Sequence, residues 1–146
     1  MSRKAVILLV LLSLTASLGL SACSGQAQSQ HTFPMAEMAD MPVDVQQAPP
    51  VVQEAYRFAA ANPDVLTQIP CYCGCGGMGH TSNYACYVAG ENADGSPAFD
   101  GHALGCSLCV DITQDTMRML DEGKPIAEIR AYVDQTYSRF GPSNMP

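Results

Sequence analysis

The apolar positions of this chain fall into blocks with different spacing, and the spacing predicts different elements. Ala5 to Leu20 is a nearly continuous apolar run. Val52, Ala55, Tyr56 and Ala59 recur at i, i+3, i+4 and i+7, which is one face of a helix. Pro49-Pro50 ahead of them and Asn62-Pro63 behind bound that helix to about 51–61. Asp64 to Gln68 leaves room for one short further turn. Cys109, Val110, Ile112, Met117 and Leu120 mark a second helix, from Cys106 or Ser107 to Glu122, with Gly123 as its left-handed cap. Ile126, Ile129, Val133, Tyr137 and Phe140 mark a third, opened by Pro125 at the first helical position and ended by Gly141-Pro142. So short a turn between the last two helices makes them an antiparallel hairpin.

Two stretches show no such period. From Cys71 to Gly105, glycine, asparagine, serine and aspartate dominate, and no regular element longer than a few residues is expected. The predicted fold is therefore mainly α: a small three-helix domain over 50–146 carrying a long irregular loop rich in cysteine and glycine. Such a loop inside a compact domain needs something other than an apolar core to order it. The second aperiodic stretch, within 23–49, is rich in Gln, Ser, Ala, Pro and Met and is expected to be a flexible tether.

The apolar run at the start changes the picture of where the domain works. Ser2-Arg3-Lys4 precedes it, and Leu20-Ser21-Ala22-Cys23 follows with the pattern of a bacterial lipobox. Residues 1–22 read as a lipoprotein signal peptide rather than as part of the fold. The run is short of the ~20 apolar residues that a spanning helix needs. Cleavage before Cys23, thioether lipidation of its sulfur and acylation of its amine, by palmitate or a similar chain, would anchor the protein outside the cytoplasmic membrane. Loss of Arg3 and Lys4 takes the formal net charge from −7 to −9. So acidic a chain argues against nucleic acid as a partner and is compatible with cations.

Candidate chemistry lies in the cysteines. Cys71, Cys73 and Cys75 stand at i, i+2 and i+4, so in an extended segment all three sulfurs face one side. Gly74, Gly76, Gly77 and Gly79 let the chain fold closely around whatever sits there. Cys106 and Cys109, at i and i+3 of a helix start, converge on one ligand, and the helix N-terminus favours the thiolate. With Cys86, His80 and His102 the domain offers eight donors, enough for two closed four-coordinate sites or one smaller thiolate cluster. Three structural disulfides would also order the loop, as is common in exported proteins, although bridging Cys71 to Cys73 is geometrically awkward. Thiol–disulfide exchange, with Cys106 or Cys109 attacking, is the third reading. No nucleophile with a paired base and no phosphate-cradling loop is evident, which favours a binder over an enzyme.

Pro70-Cys71-Tyr72-Cys73-Gly74-Cys75 resembles the signature of the PCYCGC-motif bacterial lipoproteins. Tyr56-Arg57-Phe58-Ala59, His80 with Ser82-Asn83 and Cys86, and His102-Ala103 with Cys106-Ser107-Leu108-Cys109-Val110-Asp111 stand where that pattern would place them. So do Gly123-Lys124 and Glu128-Ile129-Arg130 with Tyr132 and Asp134. The resemblance spans roughly residues 50–140 together with the leader. A Cys-Gly-Cys-Gly loop followed by a helix, a Gly-Lys turn and an Ile-rich helix is also similar to the thiol reductases of cytochrome c maturation. Those rely on one reactive Cys-x-x-Cys pair, and this chain carries more cysteine than that.

Thiolate-rich sites suit zinc, copper(I) and iron–sulfur clusters alike. Met35, Met38 and Met41, one at every third residue after His31, favour copper as auxiliary thioether ligands, with Met78 as a fourth. The alternative is that these methionines are ordinary linker or one face of a short docking helix. The expectation is a lipid-anchored protein of the cell envelope that holds a soft metal, copper ahead of zinc, or relays it to an envelope partner.

Overall fold

The computed structural model describes residues 31–145. The predicted signal peptide and the expected lipidation site Cys23 lie outside them. Among the described residues no helix is long and apolar enough to cross a membrane.

The fold is mainly helical, as the spacing predicts. Among the described residues six α-helices run in chain order: α1 (Val43–Gln46), α2 (Pro50–Ala61), α3 (Pro63–Leu66), α4 (His102–Gly105), α5 (Ser107–Asp121) and α6 (Ile126–Tyr137). Pro49 caps α2 and Pro50 opens it, where the missing N–H costs nothing. Ala55, Tyr56, Phe58 and Ala59 form its buried face and pack on α5. α5 buries Cys109, Val110, Ile112, Thr113, Thr116, Met117 and Met119. Gly123, at φ 75°, turns the chain into α6. Pro125 sits one residue earlier than expected, as the N-cap rather than the first helical residue. α6 lays Ile129, Val133 and Tyr137 on α5 and completes the hairpin. Phe140, expected on the same stripe, falls beyond the helix and is 54% exposed.

One expectation is refined and one is corrected. The loop 71–105 is not wholly irregular. It contains an antiparallel hairpin, β1 (Val88–Glu91) and β2 (Pro97–Phe99), paired Val88↔Phe99, Gly90↔Ala98 and Glu91↔Pro97, with an irregularity between Val88 and Gly90. Strands this short carry almost no alternation, and turn chemistry sets them instead. Asn92 N–H donates to Ser96 O, Gly95 takes φ 83°, and Asp94 accepts from Ser96.

The described part of the expected tether, residues 31–49, is folded onto the helices. Met41 and Val45 are in the core, at 4% and 1% exposure. Arg57 Nε and the Asn62 side-chain amide donate to the carbonyls of Ala36 and Pro34. His31 Nδ1 and Nε2 stand 2.7 and 3.2 Å from carboxylate oxygens of Asp121 and Glu54, tying the segment to α5 and α2. Burial works against protonating His31, but the hydrogen bonds to Asp121 and Glu54 outweigh it and raise its pKa above 6.5. Its ring stacks on Phe33, which meets Phe58 edge-on. The segment lacks helical periodicity because it binds through backbone carbonyls and single apolar anchors. Composition therefore reads it as linker.

Candidate metal centre

The PCYCGC loop begins at Cys71, after Ile69 and Pro70 bring the chain out of α3 into the core. Cys71 and Cys73 point the same way, with Sγ atoms 3.5 Å apart. Gly74 then takes φ 84° and starts a tight turn over Cys75–Met78, closed by Gly79 at φ 92°. That left-handed turn ends the extended run, so the three sulfurs do not converge on one point as expected. Cys75 is carried toward Cys86, with 3.6 Å between sulfurs. Cys109, in the first turn of α5, completes a triangle with Cys71 and Cys73, at 3.5 and 3.6 Å. His102, at the start of α4, brings Nε2 to 3.4 Å from Cys73 Sγ.

All six cysteines of the domain are free thiols. Their sulfurs and the His102 ring form three overlapping four-donor sets, each with its ligand atoms within 4.8 Å of one another. The sets are Cys71, Cys73, Cys86, Cys109; Cys73, His102, Cys106, Cys109; and Cys73, Cys75, Cys86, His102. Tetrahedral coordination by sulfur at ~2.3 Å has edges of about 3.8 Å, so donors at these separations suit a soft metal. The cluster can hold a metal ion.

A family described as "protein of unknown function with PCYCGC motif" matches residues 8–144. The chain belongs to this family. No curated protein and no solved structure matches it.

The electrostatics of the PCYCGC centre follow from crowding thiols in a buried space. Hydrogen bonds from neighbouring thiols, Cys109 first, hold Cys71 well below the usual thiol range. The same contact with Cys71 pushes Cys109 far up, and burial pushes up Cys73 and Cys75. One thiolate is thus supported and its neighbours are held neutral. A bound cation would favour the thiolate at every donor it touches, because its positive charge offsets theirs.

Not every predicted donor joins the cluster. His80 stands in none of the four-donor sets. Its ring meets His102 edge-on at 5.1 Å, its Nε2 lies 3.6 Å from Asp100 Oδ2, and its buried Nδ1 has no hydrogen-bond partner. Asp100 also accepts from the backbone N–H of His102, so one carboxylate steadies both histidines. Of the four methionines, Met41 is a core residue, Met35 and Met38 are half-buried against the core, and Met78 is 65% exposed. A free thioether tether is not what these residues form, and copper loses the feature that set it ahead of zinc.

The sequence reading missed the residues that position the centre. Asn144, from the C-terminal tail, accepts from Cys71 N–H at 2.7 Å and donates to Ser82 O at 3.0 Å, with the same amide 3.5 Å from Cys75 Sγ. Asn83, fully buried, donates to Cys109 O and accepts from Thr113 Oγ1. Tyr87 O–H reaches the same carbonyl at 2.9 Å. These contacts join segments that are 22 to 73 residues apart. No spacing rule reports them; the family resemblance had marked Ser82-Asn83 but gave the pair no role.

Proposed function

We propose that this protein binds a soft, thiophilic metal ion, copper(I) or zinc(II), in the cell envelope, and holds it or passes it to a protein partner there. The observation that carries the reading is the set of overlapping Cys/His tetrads. Their donors are thiolates and one imidazole, the chemistry that selects these ions over hard cations. The lipobox at Leu20–Cys23 supports the location.

An exchange role for the thiols is less well supported. Of the two thiols expected to attack, Cys109 is buried and Cys106 half-buried, and attack on a disulfide needs an accessible thiolate. Elemental analysis of protein purified from its own envelope under anaerobic conditions tests the reading, together with thiol counting before and after chelation. Bound copper or zinc is expected, with thiols that become reactive once the metal is removed. Metal-free protein whose six domain cysteines react only after reduction would replace the metal reading with three disulfides.

A further inference from the structure

The three tetrads are not three sites. Cys73 belongs to all of them, and any two share a second donor as well. An imidazole nitrogen has one lone pair and serves one metal, whereas a thiolate has lone pairs enough to serve two. Sharing therefore runs through sulfur. Two pairings share only thiols: the first tetrad with the Cys75 tetrad, through Cys73 and Cys86, or with the Cys106 tetrad, through Cys73 and Cys109.

The contacts choose between them. Five donor–donor contacts are 3.6 Å or less: Cys71–Cys73, Cys71–Cys109, Cys73–Cys109, Cys75–Cys86 and Cys73–His102. All five fall inside the first tetrad or the Cys75 tetrad. With the Cys106 tetrad as the second, the Cys75–Cys86 contact has no role. Cys75 is buried, whereas Cys106 is half-buried.

We propose that the centre is dinuclear, with the thiolates of Cys73 and Cys86 bridging two metal ions, Cys71 and Cys109 completing one, and Cys75 and His102 completing the other. This rests on the metal reading above. Six donors then close two four-coordinate sites that would otherwise need eight, which accounts for His80 standing outside and Cys106 being spare.

Charge favours filling both positions when the ion is divalent. One such ion in the first tetrad is held by four thiolates and leaves two net negative charges in a buried site. A second ion displaces the Cys75 proton, and five thiolates around two ions leave one. Less uncompensated charge is then buried, so the second ion binds at least as readily as the first.

Native mass spectrometry of the reduced full chain titrated anaerobically with zinc(II) reads this directly. The expected spectrum passes from apo to two zinc ions with the one-zinc species scarce. Cys73→Ser and Cys75→Ser should each lose the two-zinc state, and Cys106→Ser should keep it. X-ray absorption of the loaded wild type should show a metal–metal scattering path, which keeps the proposal testable if Cys73→Ser fails to fold. Saturation at one zinc, or no metal–metal path, overturns the dinuclear centre and leaves the metal reading standing. Loss of one ion in Cys106→Ser with both kept in Cys75→Ser overturns the assigned ligands. Retention of neither zinc nor copper(I) overturns the metal reading itself.

Discussion

Replacing Asn144 by alanine should weaken metal binding although the residue touches no metal donor except through one long amide–sulfur contact. The substitution leaves the backbone link from Asn144 N–H to Cys71 O at 3.0 Å in place. It removes the acceptor of Cys71 N–H and the donor to Ser82 O. Two neutral hydrogen bonds contribute about 0.5–1.5 kcal/mol each, and a buried N–H left unpaired costs ~1–3 kcal/mol. Cys71 has no exposed surface, so its N–H falls in that costly class. These terms overlap, and about 2–3 kcal/mol in total is a fair expectation. Loop assembly and metal binding are one coupled equilibrium, so the apparent affinity should fall about 30- to 150-fold. Competition against a chromophoric chelator measures that, and hydrogen exchange of Cys71 and its neighbours should accelerate in parallel. Asn144→Asp sharpens the test. It keeps an acceptor for Cys71 N–H but turns a second oxygen toward the Ser82 carbonyl and adds negative charge beside thiolates, so it should be no better than alanine. An affinity within threefold of wild type for Asn144→Ala, with unchanged exchange at Cys71, would refute the view that the tail clamps this loop.

Other perturbations reach separate parts of the fold. A Cβ on Gly141 would stand 2.9 Å from Tyr72 O, so Gly141→Ala should cost ~1–3 kcal/mol and lower Tm by several degrees. Gly77→Ala, which meets nothing within 4 Å, should leave Tm unchanged in the same scan. His31 has a folded-state pKa raised above 6.5, so its ion pairs contribute fully below the unfolded value and fade as pH rises through the folded one. Urea unfolding should accordingly show wild type more stable than His31→Gln at pH 5.5, with the gap narrowing by pH 8.5; a constant gap would mean that packing on Phe33 is the whole effect. Met41→Ala should destabilise by ~2–5 kcal/mol as a core truncation. Changing Met35, Met38 and Met41 together to leucine should leave copper(I) loading rates unaltered, and slower stopped-flow loading would return these sulfurs to the metal pathway.

What the sequence could determine by itself was everything that repeats locally. The α2 face of Ala55, Tyr56 and Ala59, the Gly123 turn and the α6 stripe of Ile129 and Val133 follow from periodicity and caps, because helices are built from contacts three and four residues apart. Cysteine spacing was equally legible. It marked the donors, though it overstated how Cys71, Cys73 and Cys75 converge, because the left-handed Gly74 that breaks the extended run is a fact of the folded backbone. Tertiary structure alone decided the rest. It chose which donors meet, seating Cys86 and His102 with the loop and leaving His80 against Asp100. It turned residues 31–49 from an expected tether into packed structure through His31, Arg57 and Asn62. It brought Asn144 across 73 residues to hold the loop. Contacts of that kind have no period, since each depends on where two remote segments pass. A single chain can record their chemistry in its residue types, but their pairing exists only once the helices have packed.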